Sequence, residues 1–411
     1  MIRKDKLAEI IENQRRWITG IDTGTEREYL EKAKFTEDFA LVISGIRRCG
    51  KSTFLGQVLR KQKNFYFLNL EDPNLTGFEL SDFSTADKIF REKYGEGGVY
   101  FFDEIQNVSE WERFVRHLVD RKENVMITGS NASLLSRELG AKLTGRYLRM
   151  EMYPFSYSEF LRFFDMIPSK ESYEKYLRSG GFPQFLKTKD PSILHELLTN
   201  IVIRDVAVRF GIKNIDNLKK LAVYLISHTG SEFSYNSLKK MFGIKSVQSV
   251  IDYISYFEDA YLIFRVPRFR YSYRQQQVSR QKIYSIDNGL SLANSVSFSK
   301  DVGRMLENSV FLSLRRKYSD IFYYRGEGEC DFVVKKKNKI AMAFQVCYNM
   351  NDENEKREIN GLKEAMDKFS LNTGLILTYN QDDEITTGGK SIVVKPVWKW
   401  LTEEKRPKKS E

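Results

Sequence analysis

The chain is poor in the residues that build disulfide frameworks and metal clusters. It has three cysteines, Cys49, Cys330 and Cys347, with no C-x-x-C spacing among them. That argues against a disulfide scaffold or a cysteine-built zinc site and fits a reducing cytosol. The three histidines, His117, His195 and His228, are too scattered for a histidine-built zinc centre. No run of about 18 apolar residues occurs, so no membrane span is expected. The opening MIRKDKLAEIIENQRRW is charged and helical in pattern and lacks the apolar core of a signal peptide. A cytoplasmic protein is the expectation. No fixed-period repeat is visible.

Other quantities are ample. The 41% hydrophobic and 13% aromatic content can fill packed cores, and 411 residues suggest two or three domains. The net charge of +11 favours an acidic partner, nucleic acid being the usual one. Charge alone does not decide this, because many soluble enzymes share it.

Residues 39–54, FALVISGIRRCGKSTF, organise the rest. An apolar run at 40–43 reads as a buried strand. It feeds Gly45-Ile46-Arg47-Arg48-Cys49-Gly50-Lys51-Ser52, which fits G-x-x-x-x-G-K-[ST], and a helical pattern follows from Thr53. The glycines let the loop curl so that backbone N–H groups, with the positive end of the new helix, face a phosphate chain. Lys51 is placed to reach the β- and γ-phosphates and Ser52 to take one position on Mg²⁺, so ATP and Mg²⁺ are the expected ligands. Modification of Cys49 is expected to crowd the loop. A strand at 65–70 and another at 98–104 follow; the second ends in Asp103-Glu104. Asp103 suits Mg²⁺ and Glu104 suits activation of the attacking water. The adjacent pair argues for hydrolysis. A fourth strand, 124–128, leads to Ser130 and Asn131. Asn131, or Ser130 after it, is a candidate to hold the water or γ-phosphate, or to cap a following helix. Arg146, with Arg137 second, precedes a fifth strand at 147–152. It is a candidate transition-state arginine for a neighbouring subunit, or a surface arginine. An oligomer is therefore open. Leu7, Ile10, Ile11 and Trp17 predict an N-terminal amphipathic helix. Residues 109–122 predict another, with Ser109 as cap and Glu112 completing a capping box.

The segments SGIRRCGKST, VYFFDEIQN, ITGSN, LTGRYLRMEMYPFSYSEF and RSGGFPQ resemble the AAA-family ATPases of archaea and bacteria, in which a P-loop domain precedes a C-terminal domain of unassigned function. The resemblance implies an α/β parallel sheet of the additional-strand, catalytic-glutamate type. The domains expected are a P-loop ATPase domain at 1–154, a helical lid at 155–212, a winged helix at 213–275, and a C-terminal α/β domain at 276–411. The lid reads as a helix over 156–178 broken by Gly180-Gly181-Phe182-Pro183.

The winged-helix pattern interleaves Lys239, Lys240, Lys245, Arg265, Arg268, Arg270 and Arg274 with Phe269, Tyr271 and Tyr273. Such a strip suits phosphate contacts and stacking, so DNA is the expected partner and a protein the alternative. In the last domain Glu307, Asp331, Gln345 and Cys347 fall where PD-(D/E)xK nucleases place metal ligands and a lysine. Glutamine and cysteine stand where glutamate and lysine are expected, so the site reads as degenerate. Lys335, Lys337 or Lys363 could supply the missing charge. The leading expectation is an ATP hydrolase acting through these modules on DNA. The alternatives are a nucleotide-dependent switch with little turnover and an ATP-gated, Mg²⁺-dependent nuclease.

Overall fold

The apolar run at 40–43 becomes an inner strand of a parallel sheet. In the computed structural model, which describes residues 2–129, 143, 145–295 and 301–403, the chain forms two compact units, Met1–Tyr153 and Pro154–Glu411. The first runs α1 (Lys4–Gly20), β1 (Ala40–Gly45), α2 (Lys51–Leu59), β2 (Phe65–Asn69), α3 (Leu80–Tyr94), β3 (Val99–Asp103), α4 (Trp111–Asp120), β4 (Val125–Gly129) and β5 (Tyr147–Met152). The strands pair in the order β2-β3-β4-β1-β5, all parallel. β1 and β3 are buried along their length, as a sheet covered on both faces requires. Parallel pairing sends every strand's C-terminal end to one edge, where α/β sheets bind ligands. Only β4 separates the glycine-loop strand from the Asp103 strand. Phe83, Phe90, Phe102 and Phe114 fill the core; the rings of Phe83 and Phe114 stack with centroids 4.7 Å apart.

Two local expectations change. Helix α4 begins at Trp111 with Glu110 as N-cap and no side-chain cap bond, so Ser109 does not cap it. A cap contributes about 1 kcal/mol, whereas burying a large apolar side chain contributes about 1.5–3 kcal/mol. Trp111, only 4% exposed, therefore fixes the start. In α1 Leu7, Ile10, Ile11 and Ile18 are buried while Trp17 stays 49% exposed. Gln14 ties the helix to β2, accepting from the Asn69 N–H at 2.7 Å and donating to its carbonyl at 3.1 Å.

The second unit opens with α5 (Tyr157–Phe164), α6 (Lys170–Ser179), α7 (Pro183–Thr188) and α8 (Ser192–Asn200), which continues as a π-helix, Ile201–Val208. The helix predicted over 156–178 is two helices. Asp165, with φ 52, ends α5, and Ser169, just after Pro168, caps α6. Next come α9 (Ile215–Ser227), β6 (Glu232–Phe233), α10 (Tyr235–Met241), α11 (Val247–Asp259), β7 (Ile263–Pro267), α12 (Tyr273–Val278) and β8 (Gln281–Ser285). Their strands form an antiparallel sheet ordered β6-β8-β7. The hairpin begun at β7 thus closes through β8, beyond residue 275.

After α13 (Asn288–Asn294) and α14 (Val302–Arg315) come β9 (Ile321–Arg325), β10 (Glu329–Lys336), β11 (Lys339–Cys347), α15 (Glu355–Lys368), β12 (Thr373–Thr378), β13 (Asp383–Thr387), β14 (Lys390–Pro396) and α16 (Val397–Glu403). The sheet order is β13-β14-β12-β11-β10-β9. Leu362, Ala365 and Met366 of α15 pack into its core. The two glycine turns of this unit meet. The Asp287 carboxylate accepts from the Gly181 N–H at 2.6 Å and the Leu290 N–H at 2.9 Å. A Cβ at Gly180, whose φ is +68, would stand 2.1 Å from Asp287 Oδ1. Burial pushes Asp287 up to about 6, against the pull of those N–H groups.

Candidate active site

The loop after β1 is shaped by backbone needs. A Cβ on Gly45 would lie 2.1 Å from the Met152 carbonyl, so β5 closes onto β1 only over a glycine. Gly50 has φ 96 and is the N-cap of α2. Cys49 is fully buried, its thiol 3.6 Å from the Met152 carbonyl. The expected crowding by a thiol reagent therefore requires the loop to open first. Lys51, 5% exposed, donates to the carbonyls of Gly45 at 3.1 Å and Ile46 at 3.2 Å. An ammonium this buried needs acceptors, and these hold it within the loop. Ile46 is buried, Arg47, Ser52 and Thr53 are half-buried, and Arg48 is exposed. Arg27, which the sequence did not single out, props the loop from behind. Its guanidinium donates to the Cys49 carbonyl at 2.8 Å and the Tyr153 carbonyl at 2.6 Å.

At the end of β3, across β4 from the loop, Asp103 is buried and hydrogen-bonded to the Ser52 hydroxyl. The two residues read as Mg²⁺ ligands therefore meet. Burial and the like charge of Glu104 raise the Asp103 pKa, and its bonds to Thr128 and Ser52 oppose the rise. Glu104 is half-buried with φ 51, and Gln106 donates to its carboxylate. Among the described residues the buried Gln106 side-chain oxygen has no hydrogen-bond partner, an acceptor left beside Glu104. Thr128 joins the pair. Its hydroxyl donates to Asp103 and accepts the Glu104 N–H at 3.2 Å. Sequence reasoning passed over Thr128 in favour of Asn131 and Ser130, which lie outside the described residues, as does Arg137.

Thr128→Val keeps the shape but leaves the Glu104 N–H without its acceptor, a loss of about 1–3 kcal/mol. Nucleotide turnover is expected to fall about ten- to a hundredfold, with Thr128→Ser close to wild type. Equal turnover in Thr128→Val and wild type would remove Thr128 from the site.

Arg146 lies at the other edge of the sheet. Its carbonyl accepts the Ala40 N–H at 3.1 Å and its side chain pairs with Asp120. The six residues of β1 then separate it from the loop, about 20 Å at about 3.3 Å per residue. It cannot reach the glycine loop of its own chain.

The second unit brings Glu307, Asp331 and Gln345 together around an unexpected lysine. Lys282 of β8 donates to Glu307 at 3.2 Å, Asp331 at 2.8 Å and Glu329 at 2.8 Å. Tyr284 donates to Glu307 at 2.7 Å. Burial opposes charge on Lys282, but Asp331 and Glu307 outweigh it and the net shift is upward. Burial raises Glu307, with Lys282 opposing. Gln345 is a connector: its carbonyl accepts the Asp331 N–H at 3.2 Å and its amide donates to Glu358 at 2.6 Å. A glutamate at 345 would set two carboxylates against each other. Cys347 is buried, its thiol 3.2 Å from the Asn349 carbonyl. The lysines suggested by sequence do not supply the charge: Lys363 pairs with Asp367, and Lys337 sits at the β10–β11 turn with φ 55. Lys335 lies on a separate cavity. Among the described residues no group of His, Cys, Asp and Glu is arranged to hold a metal ion.

The basic strip also divides. Arg265 pairs with Glu258 and donates to the Tyr235 hydroxyl at 2.9 Å, and Arg268 donates to the Arg325 carbonyl. Lys239 and Arg270 are half-buried, and Lys240, Lys245 and Arg274 are exposed. Phe269 is half-buried, whereas Tyr271 and Tyr273 are 77% and 75% exposed. Helix α11, which follows the tight turn, carries Asp252, Glu258 and Asp259 and no lysine or arginine.

The parallel sheet, the glycine loop entering α2 and the strand-end acid one strand away make the first unit a P-loop AAA domain. Residues 37–161 match a family model described as an AAA domain, and residues 170–300 one described as a domain of unknown function. The chain is 38% identical over 391 residues to the protein MJ1544 of Methanocaldococcus jannaschii, covering 87% of each. It is 31% identical over 349 residues to a protein of Haemophilus influenzae, covering 77% of this chain and 85% of that protein. The chain belongs to the family of AAA-domain proteins that includes these two. Among solved structures, the Walker-type ATPase paby2304 of Pyrococcus abyssi aligns with a TM-score of 0.41 and 14% identity, over 67% of this chain and 99% of that one. AMPPCP-bound DnaA from Aquifex aeolicus aligns at 0.28 and 14%, over 61% and 88%. No helix among the described residues is long and apolar enough to cross a membrane.

Proposed function

We propose that this protein binds Mg·ATP in its first unit, hydrolyses it, and uses the nucleotide state to control nucleic-acid binding by its second unit. The observation carrying the reading is the cluster of Ser52, Asp103, Thr128 and Glu104 beside a glycine loop that holds Lys51 inward. Gly45, Gly50 and the N–H groups opening α2 suit a phosphate chain, Lys51 its terminal oxygens, and Ser52 with Asp103 the metal. Mg²⁺, when bound, would neutralise charge on the phosphate oxygens. Glu104, with Gln106 and Thr128 fixing its position, would orient water and take its proton. Asn131 is retained as a second water-holding candidate. Arg146, on the far sheet edge, would serve a neighbouring subunit's nucleotide in an oligomer.

In the second unit, the three helices and the β6-β8-β7 sheet support a winged-helix reading, with α12 inserted in the wing. The final α/β domain is read as a nuclease-like fold that binds without cutting. Lys282 supports this, since its ammonium sits among the carboxylates where a catalytic metal would be needed. The test is phosphate release from Mg·ATP with and without DNA across a salt series. Turnover is expected, with DNA stimulation that disappears at high salt. Tight nucleotide retention with no phosphate release would replace the hydrolase with a switch.

A further inference from the structure

Beside the β10–β11 turn is a cavity of about 370 Å³ whose chemistry is one-sided. Arg270, Lys335, Lys339 and Lys368 line it, and among the described residues no carboxylate does. None of these four cations joins an ion pair among the described residues. They come from three places: the segment after β7, the β10–β11 hairpin and the end of α15. A register shift between Val334 and Lys335, the mark of a bulge, falls at Lys335, and bulges re-aim side chains beside functional sites. The aromatic part is equally organised. Phe269 meets Phe369 edge-on at 4.8 Å and Phe322 at 5.7 Å, so it is fixed from behind. Tyr271 stands edge-on to Phe269 at 5.2 Å, mostly exposed, with the Lys368 ammonium 5.6 Å from its ring centre.

We propose that this cavity binds a single-stranded nucleic acid, one base stacking on Tyr271 and the flanking phosphates lying on Lys335, Lys339, Lys368 and Arg270. Clustered aromatics beside cations that no carboxylate engages suit a base and its phosphates, and stacking requires a base face that a duplex keeps hidden. Helix α11 argues in the same direction, because it bears Asp252 and Asp259 and no lysine or arginine, a poor match for the phosphates bordering a major groove. The inference rests on the nucleic-acid reading above and narrows it to one strand and one place.

The test is binding of fluorescent dT12, and of a duplex of the same length, to the full chain across a salt series. Lys335→Gln with Lys339→Gln should weaken dT12 binding at least about tenfold and reduce the salt slope by about 1.4, twice the value of about 0.7 per contact for single strands. Tyr271→Ala should weaken it about 5- to 150-fold, the range that losing one stacked base gives, while Tyr271→Phe stays near wild type. Tyr271 is exposed, so these changes leave the fold in place. Lys175→Gln with Lys187→Gln, exposed on α6 and α7 and outside the basic strip, should leave dT12 binding unchanged. If dT12 binds but ignores the cavity variants, this site is wrong and the nucleic-acid reading survives. If duplex binds as tightly as dT12 and is lost equally in the cavity variants, the single-strand claim falls. If neither binds wild type, both readings fall together.

Discussion

Glu104→Gln should bind nucleotide like wild type and lose hydrolysis by about 10²–10⁴-fold, the usual contribution of a positioned general base. The substitution is isosteric, so the Gln106 contact and the N–H held by Thr128 can persist. What disappears is the basic oxygen. Lys51→Ala should behave in the opposite way. Without the ammonium, the loop loses the charge that Gly45 and Ile46 now cradle, so affinity itself should fall. The pair separates capture from chemistry: a fluorescent nucleotide reports the first and phosphate release at saturating Mg·ATP the second. If Glu104→Gln turned over within about threefold of wild type, the general-base assignment would fail. Undiminished affinity in Lys51→Ala would contradict the phosphate assignment.

The residues that sequence made visible are those whose spacing is dictated by local backbone geometry. Gly45 and Gly50 must be glycine for reasons a short window contains, and Asp103-Glu104 ends an apolar run that can only be a buried strand. Thr128 was hidden because it looks like the end of such a run. Its role exists only because the sheet order places β4 between β1 and β3. Arg27 was hidden for a related reason. It sits in a polar stretch without periodicity, and the carbonyls it holds belong to residues 49 and 153. In the basic strip, sequence could count charges but could not see that Glu258 engages Arg265 across a helix–strand contact. Local pattern therefore located the glycine loop, while the side chains that steady it needed the topology.

Lys282 is the extreme case of a role set by topology, and its removal should be the most damaging single change in the second unit. Lys282→Met keeps the aliphatic stem and deletes the ammonium, leaving Asp331 and Glu307 buried without their cation. Breaking a buried ion pair from one side typically costs about 3–5 kcal/mol, a large part of the about 5–15 kcal/mol that holds a domain folded. Glu307, already raised by burial, should answer by taking up a proton. Hydrogen exchange over β8, β10 and β11 should accelerate strongly, while nucleotide binding by the first unit persists and serves as the internal control. The triple variant Lys282→Met, Glu307→Gln, Asp331→Asn should recover most of the protection. Replacing the ammonium and both buried carboxylates together leaves no buried charge uncompensated, since Glu329 is partly exposed and also faces Arg325, so the effect should be far smaller than the single change predicts. Protection in Lys282→Met equal to wild type would mean that the ammonium does not hold these strands together. A triple variant no better than the single would mean that the loss does not come from uncompensated buried charge.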